Sequence, residues 1–297
     1  MPFGTVTLND GNEMPTIAFG TGSKWKGHDV TSYVEQAIEV GFSHIDTAQF
    51  YRTETYIGDA IRESGLARSD FFITSKYSGI GKPEDAIQDS LKNLGVAQLD
   101  LYLIHGPMFG SENVWEKLEE AQKAGLAKSI GVSNYNLEQL QNLLKDARVV
   151  PAVNQIRFSP YNYSETKDLL AFAAKHGIVI EAYSSLSPIT QYPGGPVDKP
   201  IAAAAKRLGA TPAQVIMAWV RSKGIVVVTT SSRKDRMQEY LNTADLHPAA
   251  DLTEEEIKAI DDAGADGPPS RTLQRSTALL WVVFTIRAIW RAWSDWI

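Results

Sequence analysis

Two kinds of hydrophobic pattern alternate along most of this chain. Short, almost wholly apolar runs predict eight strands, at residues 17–19, 44–45, 71–73, 99–104, 129–132, 149–153, 178–180 and 225–228. Longer segments with apolar residues every three or four positions predict helices at residues 32–39, 54–63, 83–93, 111–123, 137–144, 164–175, 212–222 and 234–241. The apolar character of the short runs is typical of parallel strands that are covered on both faces.

The regular exchange of strand and helix favours a parallel sheet built from right-handed strand–helix–strand units. Eight such units without an evident linker predict an α/β chain folded as a (β/α)8 barrel. Its length of 297 residues accommodates one barrel of about 250 residues and a tail. We predict a single domain over residues 1–297, with the barrel at about 5–265 and the tail at 266–297. Before the barrel, the alternating run at residues 5–8 and the turn signal Asp10-Gly11 predict a β-hairpin.

Polar side chains follow several of the predicted strands, where barrel enzymes carry their chemistry. Asp46, Lys76 and His105 close three neighbouring units, and Tyr51 comes five residues after Asp46. Taken singly, these residues have ordinary structural explanations, such as a helix cap for Asp46 or a solvated loop end for Lys76. Because adjacent strands lie about 4.8 Å apart, all four side chains can meet over one mouth of the barrel.

These four side chains suit the reduction of a carbonyl, which needs a hydride donor and an acid for the developing alkoxide. A phenol with a pKa near 10 donates poorly at neutral pH, and a nearby ammonium lowers that pKa. Lys76 can serve in this way for Tyr51 if Asp46 holds it in place. Neutral His105 can donate a hydrogen bond to the carbonyl oxygen. His44, Asp46 and His105 lack the spacing of a metal site, so we expect no metal.

Motifs distributed over residues 5–265 make the sequence resemble the aldo-keto reductase family. They are Gly41-Phe42-Ser43-His44-Ile45-Asp46-Thr47-Ala48 with Tyr51, Ile73-Thr74-Ser75-Lys76, Leu99-Asp100-Leu101-Tyr102-Leu103-Ile104-His105, Gly131-Val132-Ser133-Asn134, Val153-Asn154-Gln155 and Glu181-Ala182-Tyr183-Ser184. Val228-Thr229-Thr230-Ser231-Ser232 further resembles the fungal branch that reduces α-keto amides, ketopantoyl lactone and related diketones. The resemblance implies an NADPH-dependent reductase of aldehydes, ketones or α-dicarbonyl compounds, with Asp46, Tyr51, Lys76 and His105 as its catalytic tetrad.

The resemblance also implies that NADPH lies across the barrel mouth. Tyr183 would stack on the nicotinamide, and Ser133, Asn134 and Gln155 would bind its carboxamide. Asp46 would also lie against the cofactor. The remaining implied contacts are Thr21 and Gly22 near the diphosphate, Ser184 and Leu186 below the cofactor, Ser231, Ser232 and Arg236 at the adenosine 2'-phosphate, and Glu239 at the adenine. A 2'-phosphate requires hydroxyl donors and a guanidinium fork, which agrees with this assignment.

Two departures from the family pattern bear on specificity. Many members have a lysine where this chain has Thr230, so Arg236, with Arg233 or Lys234, must supply the charge for the 2'-phosphate. Many members also have tryptophan at the positions of Gly22 and Gly106. We therefore expect a differently shaped pocket, with Trp25 lining the substrate side together with Tyr51 and His105.

Composition narrows the possible partners. The net charge of -6 gives no reason to expect nucleic acid, and the absence of cysteine excludes disulfides and thiolate chemistry. The first residues lack a basic-then-apolar leader pattern, so we expect a cytoplasmic protein. We expect a monomer or a dimer.

The last twenty residues, 278–297, carry four tryptophans and two arginines. Their apolar run is shorter than the roughly 20 residues of a spanning helix. Packing on the barrel or at the pocket, weak contact with a membrane or a partner, and an atypical, poorly ordered end all remain open for this segment.

Three functions are compatible with these residues. The first is an active carbonyl reductase. The second is a cofactor-binding regulatory or redox-sensing subunit with little turnover, and the third is a Schiff-base aldolase that uses Lys76. The intact tetrad favours the first.

Overall fold

The computed structural model describes residues 4–22, 25–109, 113–245 and 252–269. Within them, eight parallel strands close into a barrel in the spatial order β10-β3-β4-β5-β6-β7-β8-β9. The barrel strands are β3 (Ile17–Gly20), β4 (His44–Asp46), β5 (Phe72–Tyr77), β6 (Leu99–Ile104), β7 (Ala127–Ser133), β8 (Val153–Arg157), β9 (Val179–Tyr183) and β10 (Val226–Thr229). The predicted (β/α)8 barrel is confirmed.

Helices surround this barrel and follow the strands in sequence. They are α1 (Thr31–Val40), α2 (Glu54–Glu63), α3 (Pro83–Leu94), α4 (Val114–Lys123), α5 (Leu137–Asp146), α6 (Tyr163–Lys175), α7 (Ser187–Thr190), α8 (Asp198–Leu208), α9 (Pro212–Ser222), α10 (Lys234–Leu241) and α11 (Glu254–Gly264). Apolar faces of the helices and outward-facing strand residues such as Phe19, Ile45 and Ile73 form one continuous core. Parallel strands sheathed in this way need the nearly unbroken apolar runs seen in the sequence.

The predicted hairpin is confirmed, and it covers the N-terminal end of the barrel. Its strands β1 (Thr5–Thr7) and β2 (Glu13–Pro15) pair antiparallel. Leu8 and Met14 are buried in a second apolar cluster with side chains that include Phe72, Leu101 and Val153. This cluster closes the lower end of the barrel, so the opposite end, at the carboxyl termini of the strands, is left for chemistry.

Several predicted boundaries differ from the observed ones. Strand β5 continues from Phe72 to Tyr77, and β8 runs over Val153–Arg157 instead of residues 149–153. Val150 lies before β8 and is 37% exposed. The predicted strand began too early because it included this apolar but exposed residue. Helices α7, α8 and α11 have no counterpart among the predicted helices. The predicted start of α4 at residue 111 lies outside the described residues.

The chain divides into two compact units, and the boundary lies between Gly267 and Pro268. The predicted barrel limit at residue 265 lies close to this division, and the single-domain organisation stays a prediction. The tail segment 278–297 lies outside the described residues. Within the residues that the structure does describe, no helix has the length and apolarity needed to cross a membrane.

Candidate active site

A cavity of about 730 Å³ opens at the carboxyl ends of the barrel strands. Its wall contains one carboxylate, that of Asp46, among many hydroxyl, amide and aromatic side chains of the described residues. Most of the residues predicted to form the site line it, namely Gly22, Trp25, Asp46, Tyr51, His105, Ser133, Asn134, Gln155, Tyr183, Ser184, Leu186, Ser231, Ser232 and Arg236. The predicted residues are thus brought together at one end of the barrel.

A buried ion pair forms the floor beneath this cavity. The Lys76 ammonium donates to Asp46 Oδ2 at 2.6 Å and to the carbonyl oxygen of Thr47 at 2.8 Å. Both residues are buried, Lys76 completely. Burial lowers the pKa of Lys76, but the electrostatic effects of Asp46, Tyr51 and Glu181 and the Asp46 hydrogen bond together outweigh it, and the pKa lies above its ordinary value. Lys76 is therefore a fixed positive charge.

Tyr51 and His105 lie next to this pair and face the cavity. The Tyr51 hydroxyl is 3.2 Å from His105 Nε2, and the Lys76 ammonium is 5.4 Å from the centre of the Tyr51 ring. Ser78 Oγ lies 2.7 Å from His105 Nδ1 and accepts a hydrogen bond from the backbone N–H of Phe50. The Ser78 proton is available for Nδ1, and a neutral ring that accepts it there carries its own proton on Nε2, toward Tyr51.

The pKa values of Tyr51 and His105 are shifted in opposite directions by their surroundings. Burial lowers the pKa of His105 to about 3, and the Lys76 charge acts in the same direction, so the ring is neutral at pH 7. Burial raises the pKa of Tyr51, and the Lys76 ammonium lowers it by less. The expected effect of Lys76 is present, but the net pKa of Tyr51 lies above its ordinary value. The phenol is therefore protonated in the free protein and able to donate.

A second buried acid extends the network inside the barrel. Gln155 Nε2 donates to Asp46 Oδ2 at 2.8 Å and to Glu181 Oε2 at 3.0 Å. Because the Asp46 carboxylate can only accept, the amide presents its nitrogen to it. Burial and the nearby Asp46 charge raise the pKa of Glu181 to about 8. His44, which the sequence raised as a possible ligand, is buried with its Nε2 2.9 Å from Thr74 Oγ1, and burial lowers its pKa to about 4.

Amide and aromatic groups form the wall next to this network. The Tyr183 hydroxyl donates to Asn134 Oδ1 at 2.7 Å, and Asn134 Nδ2 donates to the carbonyl oxygen of His105 at 3.0 Å. Asn134 and Ser184 adopt left-handed backbone conformations, with φ of 63° and 59°. A residue other than glycine adopts this conformation only when its surroundings hold it there, so the wall is structurally constrained.

Three of the predicted site residues do not line the cavity. Lys76 lies behind Asp46 and Tyr51. The Thr21 hydroxyl is buried against the hydroxyls of Thr47 and Thr53, at 3.2 and 3.0 Å. Glu239, predicted at the adenine, instead accepts a hydrogen bond from the Thr211 hydroxyl at 2.6 Å.

The match to known families decides between the possible barrel enzymes. Residues 3–265 match the model of the Aldo/keto reductase family. The chain belongs to this family. The predicted family is therefore confirmed, and the chain is an oxidoreductase.

Individual relatives of this aldo/keto reductase point in the same direction. An NADPH-dependent alpha-keto amide reductase of Saccharomyces cerevisiae is 37% identical over 291 residues, covering 89% of this chain and 92% of the relative. An NAD/NADP-dependent indole-3-acetaldehyde reductase of Schizosaccharomyces pombe is 36% identical, covering 78% of this chain and 87% of the relative. The first relative agrees with the branch that the sequence resembled.

Solved structures of the family have the same fold. An aldo/keto reductase from Brucella melitensis superposes with a TM-score of 0.77 at 33% identity, over 87% of this chain and 98% of that one. A Bombyx mori aldo-keto reductase in complex with NADP gives a TM-score of 0.77 at 31% identity, over 88% of this chain and 93% of that one.

Gly22 shapes the site of this aldo/keto reductase through its contact with Tyr51. A Cβ atom at Gly22 would lie 2.3 Å from Tyr51 Cζ, whereas one at Gly106 would meet nothing closer than 3.9 Å. We expect Gly22→Ala to displace the phenol and to lower kcat by about 10²-fold, the loss typical of a misplaced reacting group. Gly106→Ala is the matched control, and we expect its kcat, measured by steady-state kinetics, to stay within about twofold of the parent. Equal rates for both variants would contradict the close approach of Gly22 to Tyr51.

Sequence reasoning missed Ser78, Glu181 and Lys26 as parts of the site. Ser78 follows the extended end of β5, and Glu181 lies in β9 two residues before Tyr183. The alternation of inward-facing residues along β9 would have placed Glu181 beside Tyr183 had it been applied. Lys26 lies in the loop after β3 and carried no signal in the sequence.

Proposed function

We propose that this protein reduces aldehydes, ketones or α-dicarbonyl compounds to alcohols with NADPH, and that Tyr51 supplies the proton. The main support is the position of the Tyr51 hydroxyl, which lies 3.2 Å from His105 Nε2 at the cavity wall. The buried Lys76–Asp46 pair lies beside it. Two hydrogen-bond donors converge there, as the polarisation of one carbonyl oxygen requires.

The cavity has the groups that NADPH needs. Tyr183, Asn134 and Gln155 provide an aromatic face and amides at one part of the wall, and Ser231, Ser232 and Arg236 provide hydroxyls and a guanidinium at another. Among the described residues, Ser185 Oγ and Thr230 Oγ1 are buried without a hydrogen-bond partner, and both residues line the cavity. Buried hydroxyls without partners are costly, so a ligand with many acceptors fits this wall. The names of the relatives and the NADP of the silk moth structure support the same cofactor.

The protein's own residues supply the proton and hold the carbonyl. When bound, NADPH supplies the hydride, which forms the new C–H bond at the carbonyl carbon while the nicotinamide is oxidised. His105 Nε2–H and the Tyr51 hydroxyl donate to the carbonyl oxygen, and the phenol proton moves to that oxygen as its charge grows. Lys76 stabilises the phenolate that remains, and Asp46 holds Lys76 in place.

The other two functions have less support. An aldolase needs a lysine amine that can reach substrate, but Lys76 is fully buried and bonded to Asp46 and Thr47. A regulatory subunit with little turnover would not need the acid, histidine and ion pair to be assembled at one cavity.

Turnover of carbonyl compounds tests the proposal directly. NADPH oxidation is followed by absorbance with aldoses, aromatic aldehydes, α-keto esters and amides, and ketopantoyl lactone, with NADH in parallel. We expect NADPH-linked reduction that is fastest with the dicarbonyl compounds. Tight NADPH binding without turnover of any compound would instead favour the regulatory subunit.

Arg236 is expected to determine the preference for NADPH over NADH. Arg233 pairs with Asp235 and Lys234 with Glu39, whereas Arg236 lines the cavity and has no carboxylate partner among the described residues. Because a guanidinium binds phosphate by charge-assisted hydrogen bonds, we expect Arg236→Ala to raise KM for NADPH about tenfold and KM for NADH much less. Lys234→Ala is the control. Equal effects of Arg236→Ala on both nucleotides would remove Arg236 from the 2'-phosphate site.

The location and assembly of the protein stay predictions. We propose a cytoplasmic monomer or dimer that acts on small carbonyl compounds. Size-exclusion chromatography with light scattering tests the oligomeric state.

A further inference from the structure

A further cation lies at the substrate side of the cavity, outside the tetrad. Lys26 lines the cavity, and its ammonium lies 5.1 Å from the centre of the Tyr51 ring and 5.1 Å from that of Phe50. Its charge also helps to lower the pKa of His105, after burial and the Lys76 charge. Lys26 is thus adjacent to the two groups that would hold the carbonyl oxygen.

The backbone on both sides of Lys26 is anchored. Trp25 is buried, and its ring stacks on Tyr33 at 4.7 Å between centroids. The backbone N–H of Gly27 donates to the carbonyl oxygen of Tyr51 at 2.8 Å. Gly27 has a φ of +76°, a conformation that favours glycine and turns the chain back toward Tyr51. The position of Lys26 relative to the phenol is therefore set by its neighbours.

The charge of Lys26 is not neutralised by the protein wall. In the part of the chain that the structure describes, Lys26 forms no ion pair. The carboxylate that lines the cavity, on Asp46, is bound to Lys76 and Gln155. Arg233 is paired with Asp235, and Arg236 lies with Ser231 and Ser232. Lys26 is consequently the cation beside Tyr51 that an anionic substrate group could pair with.

We propose that Lys26 makes this enzyme select α-keto acids, by pairing with the carboxylate next to the keto group that is reduced. This inference rests on the proposed reductase function. In an α-keto acid the carboxylate carbon is bonded directly to the keto carbon, so the two groups lie side by side. With the keto oxygen on Tyr51 and His105, the carboxylate comes within reach of the flexible lysine stem. The aromatic rings beneath the ammonium keep the cation near the mouth without removing its charge.

A matched pair of substrates isolates this contact. Phenylglyoxylate and phenylglyoxylamide share the reacting ketone and the phenyl ring. The first has a carboxylate next to the ketone, and the second has a neutral carboxamide there. We expect Lys26→Met to lower the ratio of kcat/KM for the acid to that for the amide by about fivefold, the upper range for a solvent-exposed pair. Lys26→Arg should restore most of the ratio. Added salt should reduce the ratio for the parent enzyme and have little effect on Lys26→Met.

Two controls separate this effect from others. Lys258→Met makes the same change in net charge at an exposed residue of α11 and should leave the ratio unchanged. NADPH binding, measured by nucleotide fluorescence, should be the same in Lys26→Met and the parent.

Two results would overturn the inference while the reductase function stands. They are an unchanged ratio in Lys26→Met, whether or not both rates fall equally, and a loss of NADPH affinity that accounts for the change. The last result would assign Lys26 to the nucleotide. Absence of turnover with every carbonyl compound would instead reject the reductase function itself, and the α-keto acid selectivity with it.

Discussion

Replacement of Tyr51 by phenylalanine is expected to lower kcat about 10³-fold while NADPH still binds with the affinity of the parent. The phenol is protonated in the free protein because burial raises its pKa, and it is the donor nearest to His105 Nε2 in the cavity. General acid catalysis typically contributes about 10²–10⁴-fold, and no other hydroxyl contacts His105 Nε2 in the described residues. Phenylalanine fills the same volume, so the loss should appear in kcat and not in folding.

The matched control for this variant is Tyr77→Phe. Tyr77 is also in contact with the core and follows Lys76 directly, but its hydroxyl donates to the backbone carbonyl of Gly81. We expect its kcat to stay within about threefold of the parent, because only one hydrogen bond outside the cavity is lost. Stopped-flow and steady-state rates with one good carbonyl substrate measure both variants. A Tyr51→Phe enzyme that retains its rate would remove Tyr51 as the acid.

The sequence predicts the barrel because each strand has an apolar centre that needs cover on both faces. It predicts the strand ends less well, and the errors occur at the site. Strand β8 contains Asn154, Gln155 and Arg157, and β5 contains Thr74, Ser75 and Lys76. Thr74, Lys76 and Gln155 continue these strands because they find polar partners inside the barrel. Ser75 and Asn154 are also satisfied there, by Glu54 and by the carbonyl oxygen of Tyr135. Hydrophobic pattern alone therefore ends such strands too early or shifts them to apolar residues nearby.

The site was predictable where side chains act by direct reach over the barrel mouth. Asp46, Tyr51 and His105 line one cavity, and Lys76 lies directly behind it. The sequence could not predict residues whose role depends on contact with one of these four side chains. Ser78 lies against His105 Nδ1, and Gly22 matters because the Tyr51 ring occupies the space that a side chain would need. The net pKa of Tyr51 also depends on burial, which no spacing of residues reports.

Removal of Lys76 alone from its buried pair with Asp46 is expected to have the largest effect on stability. Lys76→Met leaves the Asp46 carboxylate buried, with the Gln155 amide as its remaining side-chain donor. Removing one partner of a buried pair typically costs about 3–5 kcal/mol, and the Gln155 hydrogen bond should keep the loss near 3 kcal/mol. Urea unfolding followed by circular dichroism measures the free energy of unfolding, with equal slopes required for comparison. Lys258→Met, which breaks an exposed pair with Asp262, should cost less than about 1 kcal/mol.

The double variant Asp46→Asn/Lys76→Met distinguishes an unpaired charge from lost packing. Asparagine keeps an acceptor for Gln155 and removes the charge, so we expect the double variant to regain all but about 1–2 kcal/mol, the cost of leaving the Thr47 carbonyl without its donor. If the double variant is as unstable as Lys76→Met alone, the loss comes from packing and not from charge. Both variants should lose most reductase activity, because neither has the buried Lys76 ammonium to stabilise the Tyr51 phenolate. A pair that is dispensable for stability but required for activity would then be retained for catalysis.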